Sequence, residues 1–187
     1  MNHSAQDDTV LICLIGPECT GKTTLAQQLA QAFCGIWVPE RLRHFCDSEG
    51  RTPTQDEQHT LVEQQAQDEA AAQQLAYERR QTHVFCDTAP LLTAVYSEFV
   101  FGDTSLYPRA RALHARYATT LVLEPDLPWV ADGLQRDGPH VQRPIYARIV
   151  QELAAMHVPH SRISGTGIQR LQAAQAALRL SVNSPSQ

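Results

Sequence analysis

The feature that most constrains this chain is an apolar run followed at once by a glycine-bracketed loop with a lysine. Val10–Ile15 is uninterrupted and rich in β-branched residues, which is typical of a strand buried on both faces of a parallel sheet. The next residues fit the pattern G-x-x-x-x-G-K-[ST]. Leu25, Leu29 and Phe33 then recur at helical spacing. Strand, loop and helix in this order predict a phosphate-binding loop.

Each residue type in this loop has a physical role. Gly16 and Gly21 permit backbone angles that other residues avoid, so the loop amides can turn inward. The helix that begins at Lys22 adds its positive dipole end, and the lysine ammonium reaches the β- and γ-phosphates. The hydroxyl of Thr23 is a candidate Mg²⁺ ligand. A nucleoside triphosphate and Mg²⁺ are therefore expected here, held by the loop residues Gly16, Pro17, Glu18, Cys19, Thr20, Gly21, Lys22 and Thr23. The alternative is an ordinary strand–helix turn with a surface lysine.

Short apolar runs alternate with helical patterns along the rest of the chain. Besides the first strand, we predict strands at residues 36–38, 83–86, 119–123 and 160–164. Helices are predicted at about 22–35, 54–81, 91–102, 105–117, 143–156 and 168–180. Such alternation implies βαβ units. We therefore predict an α/β P-loop NTPase fold, with a five-stranded parallel sheet flanked by helices, in a single domain of residues 1–187 with an ordered core at about 9–180.

Charge and cysteine content restrict the function classes. The 15 Lys and Arg against 20 Asp and Glu give a net charge of −5, whereas proteins that neutralise nucleic-acid phosphates are usually basic. No apolar run approaches the roughly 18 residues of a membrane-spanning helix. The five cysteines form no C-x-x-C pair, which indicates reduced thiols. We expect a cytoplasmic protein that binds neither nucleic acid nor membrane.

Carboxylates follow three of the predicted strands. Asp87 ends the third strand, where it could reach a Mg²⁺ ion; the alternative is a helix N-cap before Pro90. Glu124 is a second candidate for the same role. Glu40 lies just beyond the second strand, at the edge where open α/β sheets bind ligands. It could accept the proton of an attacking hydroxyl, or it could be a helix-start glutamate paired with Arg43.

A polar segment between helices is a candidate lid. Residues 132–138 contain two glycines and Arg136, and Arg143 follows. Arginine matches phosphate oxygens, and a closing flap excludes water during phosphoryl transfer. The segment predicts a kinase-like lid, with an ordinary surface loop as the alternative. Trp129 and Tyr107 could stack on a planar ring or could lie in the core.

Four segments stand out in order along the chain: GPECTGKTTLAQQLA, VPERLR, FCDTAPLLTAVYSEFVFG and PDLPWVADGLQRDG. Together they resemble the nicotinamide riboside (ribosylnicotinamide) kinase domain of bacterial NAD-biosynthesis regulators and related AAA-type P-loop proteins. The resemblance runs from about residue 10 to 168. The first segment, a Walker A motif, is unspecific alone, but its combination with the later motifs is more specific.

The resemblance implies a P-loop kinase that uses ATP and Mg²⁺ to phosphorylate the 5′-hydroxyl of nicotinamide riboside. It adds Thr24 to the residues that hold the ATP phosphates. It also implies that Asp87 and Glu40 lie at the metal and the acceptor hydroxyl, without deciding which is the base. The family commonly has arginine where this chain has Gln135, and here the arginine is Arg136.

Two alternatives remain beside a nicotinamide riboside kinase. One is a kinase for a different nucleoside or metabolite. The other is a nucleotide-binding ATPase switch whose hydrolysis drives association with a partner. The 187 residues leave no room for adenylyltransferase and DNA-binding domains, so we expect neither NAD synthesis from the mononucleotide nor binding to operator DNA.

Overall fold

A computed structural model describes residues 9–130 and 138–182. The strands in these two ranges form one sheet in which every neighbouring pair is parallel. Their order across the sheet is β2-β3-β1-β4-β5, so the strand before the phosphate loop lies at the centre. This confirms the predicted five-stranded parallel sheet, whose strands are β1 (Val10–Ile15), β2 (Ile36–Val38), β3 (His83–Asp87), β4 (Tyr117–Leu123) and β5 (His160–Ile163).

Seven helices flank the sheet in the same ranges. Local signals start and stop several of them: Thr54 and Glu57 form the predicted capping box, and Gly102 ends a helix in the left-handed conformation. None of the described helices is both long and apolar enough to cross a bilayer. The helices are α1 (Lys22–Ala32), α2 (Arg41–Glu49), α3 (Gln55–Glu78), α4 (Pro90–Phe101), α5 (Tyr107–His114), α6 (Pro139–Ala155) and α7 (Gly167–Val182).

The structure differs from the predicted elements in three places. Helix α2 was not predicted as a separate element. Tyr117 begins β4, although the pattern placed it at the end of a helix. Helix α6 begins at Pro139, earlier than the predicted residue 143, and continues through Pro144. Proline is tolerated at the start of a helix, where its missing N–H has no intrahelical partner, but it is disfavoured further in.

Both faces of the sheet are buried. Leu11 and Cys13 point toward the layer that contains α3, α4, α5 and α6, whereas Ile12 and Leu14 point toward the layer that contains α1 and α7. Such alternation follows from the period of two in a strand. Fully burying one large apolar side chain stabilises the fold by about 1.5–3 kcal/mol, so the uninterrupted apolar sequence of β1 places it at the centre of the core.

The strand register brings the predicted carboxylates to one edge of the sheet. Leu14 pairs with Asp87, and Ile15 pairs with Val122, so the phosphate loop leaves β1 between the ends of β3 and β4. The short strand β2 ends at Val38 beside β3. Ligands of open parallel sheets bind outside the carboxyl ends of the strands, and this edge is therefore the place to search for a site.

Candidate active site

The backbone of the phosphate loop explains its two glycines. Gly21 has φ 77° and caps α1 in the left-handed conformation, which glycine adopts at little cost. A Cβ on Gly16 would lie 2.7 Å from the carbonyl oxygen of Leu123, closer than a carbon atom can approach. Cys19 also has a positive φ, of 58°. The loop therefore folds as the Walker A pattern predicts, pressed against the end of β4.

Lys22 is held over the loop by the loop itself. Its Nζ donates a hydrogen bond of 3.0 Å to the carbonyl oxygen of Pro17, and the hydroxyl of Thr20 donates to the same oxygen at 2.8 Å. Lys22 is only 8% exposed. An ammonium has three N–H donors, so the side chain retains donors for phosphate oxygens.

Distant elements support the loop from outside. Arg170 on α7 donates a hydrogen bond of 3.1 Å to the carbonyl oxygen of Thr20, and Gln142 on α6 donates one of 2.8 Å to the carbonyl oxygen of Glu18. The thiol of Cys19 contacts a carbonyl oxygen of the 126–130 segment. These contacts turn the carbonyl oxygens of Thr20 and Glu18 toward α7 and α6, so neither oxygen is directed at an anion bound in the loop.

Thr23 and Asp87 place two side-chain oxygens next to each other near Lys22. Asp87 is 1% exposed and accepts a hydrogen bond from the hydroxyl of Thr23. Burial raises the pKa of Asp87, while Lys22, Thr23 and Arg43 lower it. Its Oδ1 is buried without a hydrogen-bond partner among the described residues, so an oxygen is available for a cation.

A divalent ion at this place would need ligands from outside the protein. The described residues contain no group of three or more His, Cys, Asp and Glu side chains that could hold a metal. Mg²⁺ usually binds through one or two protein oxygens together with substrate phosphates and water. The oxygens of Thr23 and Asp87 fit that chemistry.

Glu40 lies at the N-cap of α2, close enough to Lys22 and Asp87 for both charges to act on its carboxyl. Burial raises the pKa of the Glu40 carboxyl; Lys22 and Arg43 lower it, and Asp87 raises it further. The carboxyl makes no hydrogen bond to the first amides of its own helix. Glu40 is thus a helix-start glutamate whose carboxyl feels the charge of Arg43 and does not cap its own helix.

A cavity of about 870 Å³ joins these groups. Lys22, Thr23, Glu40 and Arg43 lie close together and form its polar end, and Gln58 also lines it. The remainder is formed mainly by apolar and aromatic side chains from the end of β2 onward, namely Leu42, Leu92, Tyr96, Val100, Phe101, Leu127 and Val130. A cleft with a phosphate loop at one end and apolar walls at the other can hold a triphosphate together with a ring-containing second molecule.

Other predicted residues lie elsewhere or outside the described ranges. Arg136 and all of the lid segment 132–138 except Gly138 fall within residues 131–137, which the structure does not describe. Arg143 is exposed on α6 and Glu124 is half-buried beyond β4; neither lines the cavity. Tyr107 is 3% exposed, and its hydroxyl donates to a carboxylate on α4, so it is a core residue.

Sequence reasoning missed three residues of the site. Arg43 follows Glu40 by three positions and was noted only as a flanking charge. Gln58, in the first turn of α3, lines the cavity and is 5% exposed. Arg170 supports the phosphate loop from a position 150 residues beyond Thr20. Only Arg43 carried a signal, the P-E-x-x-R spacing; the other two depend on tertiary contacts.

Thr24 and Trp129 differ in their position relative to the cavity. Thr24 is exposed and lines the cavity mouth beside Thr23. Trp129 is half-buried and is not among the lining residues, so no ring-stacking surface from Trp129 faces the cavity.

Comparison with known proteins agrees with this geometry. Residues 11–170 match the model of the AAA domain family. A curated relative, the trifunctional NAD biosynthesis/regulator protein NadR of Salmonella typhimurium, is 25% identical over 142 residues. The match covers 76% of this chain and 35% of NadR. The chain therefore spans about a third of that relative.

Solved structures show the same fold. NadR in complex with NR superimposes with a TM-score of 0.80 at 20% identity, covering 98% of this chain and 54% of that one. Thymidylate kinase from Ehrlichia chaffeensis superimposes with a TM-score of 0.63 at 13% identity, covering 92% and 98%. The resemblance inferred from the motifs and the P-loop fold are both confirmed. The chain belongs to the AAA domain family, and its similarity to NadR covers three quarters of its length.

Proposed function

We propose that this protein is an ATP- and Mg²⁺-dependent kinase that phosphorylates a nucleoside-like small molecule, with nicotinamide riboside as the first candidate. The single observation that carries the proposal is the shared cavity. It is lined by phosphate-loop residues that include Lys22 and Thr23, and also by Glu40, a residue whose carboxylate does not cap its helix. A phosphate donor and a hydroxyl acceptor fit into one cleft.

The polar end of the cavity binds the nucleotide. The loop amides and the Lys22 ammonium hold the phosphates, and Thr23 and Asp87 hold the cation that accompanies them. ATP supplies the phosphoryl group, and Mg²⁺ neutralises charge on the phosphate oxygens. Asp87 fits the cation better than the acceptor, because it is bonded to Thr23 and does not line the cavity.

The other end binds the acceptor. Leu92, Tyr96 and Phe101 supply an apolar surface for a planar ring. Gln58 adds a buried amide oxygen without a hydrogen-bond partner among the described residues, which can accept a bond from the ring substituent or from a sugar hydroxyl. A nucleoside has both parts, an aromatic ring and hydroxyl groups.

Glu40 is the proposed general base. The acceptor 5′-hydroxyl gives its proton to the carboxylate as its oxygen bonds to the γ-phosphorus. The bond between that phosphorus and the oxygen bridging to the β-phosphate breaks, and ADP leaves. A carboxyl whose pKa is raised by burial is a stronger base than an exposed one. For nicotinamide riboside the product is the mononucleotide.

The relatives support this substrate class. A solved relative is NadR in complex with NR, and another is NadR in complex with NAD and AMP-PNP. Because this chain spans about a third of the curated NadR, only the kinase step is proposed for it. Deoxyadenosine kinase from M. mycoides has the same fold with a TM-score of 0.60, so other nucleosides belong in the test.

Incubation of the pure protein with Mg²⁺, ATP and a nucleoside panel tests the proposal. Nicotinamide riboside, deoxyadenosine and thymidine are compared by ADP release and by mass spectrometry of the phosphorylated product. We expect nicotinamide riboside to give the highest kcat/KM. No ADP above the acceptor-free blank with any nucleoside would reject a nucleoside kinase, and slow acceptor-independent hydrolysis would favour the ATPase switch.

Glu40→Gln separates these functions further. In a kinase it should lower phosphoryl transfer by about 10²-fold or more, in line with loss of a general base, while ATP affinity stays within about twofold. Glu49→Gln, at the exposed end of the same helix, is the matched control and should transfer at the wild-type rate. Equal activity of the two variants would exclude Glu40 as the base.

A further inference from the structure

The N-terminus of α2 is capped by a residue from another helix. The first amides of a helix lack intrahelical acceptors and need a partner. Glu40 occupies the N-cap position, but its side chain makes no capping bond. Instead, the backbone N–H of Arg41 donates a hydrogen bond of 2.9 Å to Oε1 of Gln65 on α3. Gln65 is 3% exposed, so its amide lies in the protein interior.

Gln65 is itself fixed by a buried carboxylate. Its Nε2 donates a hydrogen bond of 3.1 Å to Oε1 of Glu69, which is 0% exposed. The hydroxyl of Tyr117 donates to the same oxygen at 2.7 Å, and Nη2 of Arg116 donates to Oε2 at 2.7 Å. Tyr117 is the first residue of β4. A chain of hydrogen bonds thus connects the central sheet to the start of α2.

The donors and acceptors of this chain fix the orientation of the Gln65 amide. Glu69 accepts bonds from Tyr117 and from the cationic Arg116, and an ionised carboxylate can only accept. Gln65 must therefore present its NH₂ group to Glu69 and its oxygen to the Arg41 amide. The reverse orientation would place two oxygens together at one end and two N–H donors at the other.

This arrangement has a consequence for Glu40. We propose that Gln65 is a positioning residue: by accepting from the Arg41 amide it fixes the backbone at the start of α2 and thereby holds the preceding residue, Glu40, where it lines the cavity. A side chain at the N-cap position would bond the amide of the second or third helical residue, so Glu40 does not replace Gln65 at the Arg41 amide. Without Gln65 that amide loses its acceptor, the first turn of α2 loosens, and Glu40 moves with it. The inference rests on the proposed kinase function, in which Glu40 is the base.

The test compares two neighbouring glutamines that contact the same residue. Gln65→Met keeps the length of the side chain but removes the acceptor for the Arg41 amide. Gln64→Met is the matched control, because Gln64 Oε1 accepts only from the side-chain Nε of Arg41, at 3.2 Å. We expect Gln65→Met to lower kcat by about tenfold to a hundredfold, the effect of a small displacement of a catalytic group. The KM for ATP should stay within about twofold, and Gln64→Met should lie within about twofold of wild type in both constants.

Two structural readouts do not depend on catalysis. Amide hydrogen exchange at Arg41 should accelerate about tenfold in Gln65→Met and remain unchanged in Gln64→Met. A crystal structure of Gln65→Met should show the first turn of α2, and with it the Glu40 carboxylate, displaced from the wild-type position. If the wild type phosphorylates no acceptor, the proposed function fails, and these two measurements still decide whether Gln65 directs Glu40.

The opposite results would overturn the inference. They are an unchanged Arg41 exchange rate, a Glu40 carboxylate in its wild-type position, or an unchanged kcat in a folded Gln65→Met protein. If that variant does not fold, Gln65→Asn replaces it. Asparagine keeps a polar amide but is one methylene shorter, so it cannot span Glu69 and Arg41 together, and the same outcomes apply.

Discussion

Replacing Arg170 with methionine should destabilise the fold and loosen the phosphate loop together. Arg170 is 4% exposed and forms an ion pair with Asp126. It donates hydrogen bonds of 2.8 Å to the carbonyl oxygen of Gly165 and of 3.1 Å to the carbonyl oxygen of Thr20. Asp126 also accepts a bond of 2.7 Å from the Gly165 amide. One guanidinium therefore joins the loop to the turn between β5 and α7.

The magnitude follows from what the substitution leaves without a partner. Removing one member of a buried ion pair costs about 3–5 kcal/mol. The side chain of Asp126 is 33% exposed. Water can therefore solvate part of the carboxylate that Arg170 leaves unpaired, and the lower end of the range applies. We expect the free energy of unfolding to fall by about 3 kcal/mol. At about 2–4 °C per kcal/mol for a chain of this size, Tm should fall by roughly 6–12 °C.

Urea unfolding followed by circular dichroism measures the free energy of unfolding. Calorimetric titration with Mg²⁺ and ATP measures the ATP affinity of the phosphate loop. Arg179→Met, on the exposed face of the same helix, is the matched control and should change the free energy of unfolding by less than about 0.5 kcal/mol. ATP affinity should fall about tenfold in the Arg170 variant only. If Arg170→Met were less than about 1 kcal/mol less stable than Arg179→Met, the reasoning would be refuted. So small a difference is typical of removing a guanidinium that is already solvated.

Three further predictions concern the site. Burial raises the pKa of Glu40 and of Asp87, so kcat/KM should fall on acidification at a higher pH than exposed carboxylates titrate, because the base must be ionised. The free energy of unfolding should change in the opposite direction to kcat/KM. The folded state takes up protons on these two carboxylates at a higher pH than the unfolded state does, so stability rises as the pH falls through the raised pKa values. A pH–rate profile that is flat until exposed carboxylates titrate would contradict this. Gln58→Leu should raise the KM for the acceptor about tenfold and leave the KM for ATP unchanged, since it removes a buried cavity oxygen; equal changes in both KM values would be inconsistent with an acceptor contact. Gly16→Ala should lower the free energy of unfolding by about 1–3 kcal/mol, because its Cβ would lie 2.7 Å from the carbonyl oxygen of Leu123, and an unchanged urea midpoint would show that the loop can shift at no cost.

Elements with strong local signals could be predicted from the sequence. The strand Val10–Ile15, the glycine loop and the capping box of α3 are each specified by neighbouring residues, and the structure has them where they were predicted. Asp87 could be placed beside the loop because parallel strands end at one edge of a sheet. The register Leu14 to Asp87 confirms that placement.

Features that depend on distant contacts could not be predicted. Helix α2 is short and polar, and the amide of its first residue is capped by Gln65, 24 residues from Arg41. Nothing in the local pattern of α2 carries this information. Gln58 and Arg170 belong to helices that were correctly predicted, but their partners are in other elements. A hydrophobic pattern gives the side of a helix that is buried, not the polar atom that a buried side chain meets.

The bond from Arg170 to the carbonyl oxygen of Thr20 has a consequence for synthesis on the ribosome. The two residues are 150 positions apart, so the loop near the start of the chain is made early but acquires this support only after α7 has emerged. A nascent chain that ends before Arg170 should bind ATP poorly even when its sheet has formed. The phosphate loop is thus translated early, but the contact that supports it for ATP binding forms only after most of the chain has been made.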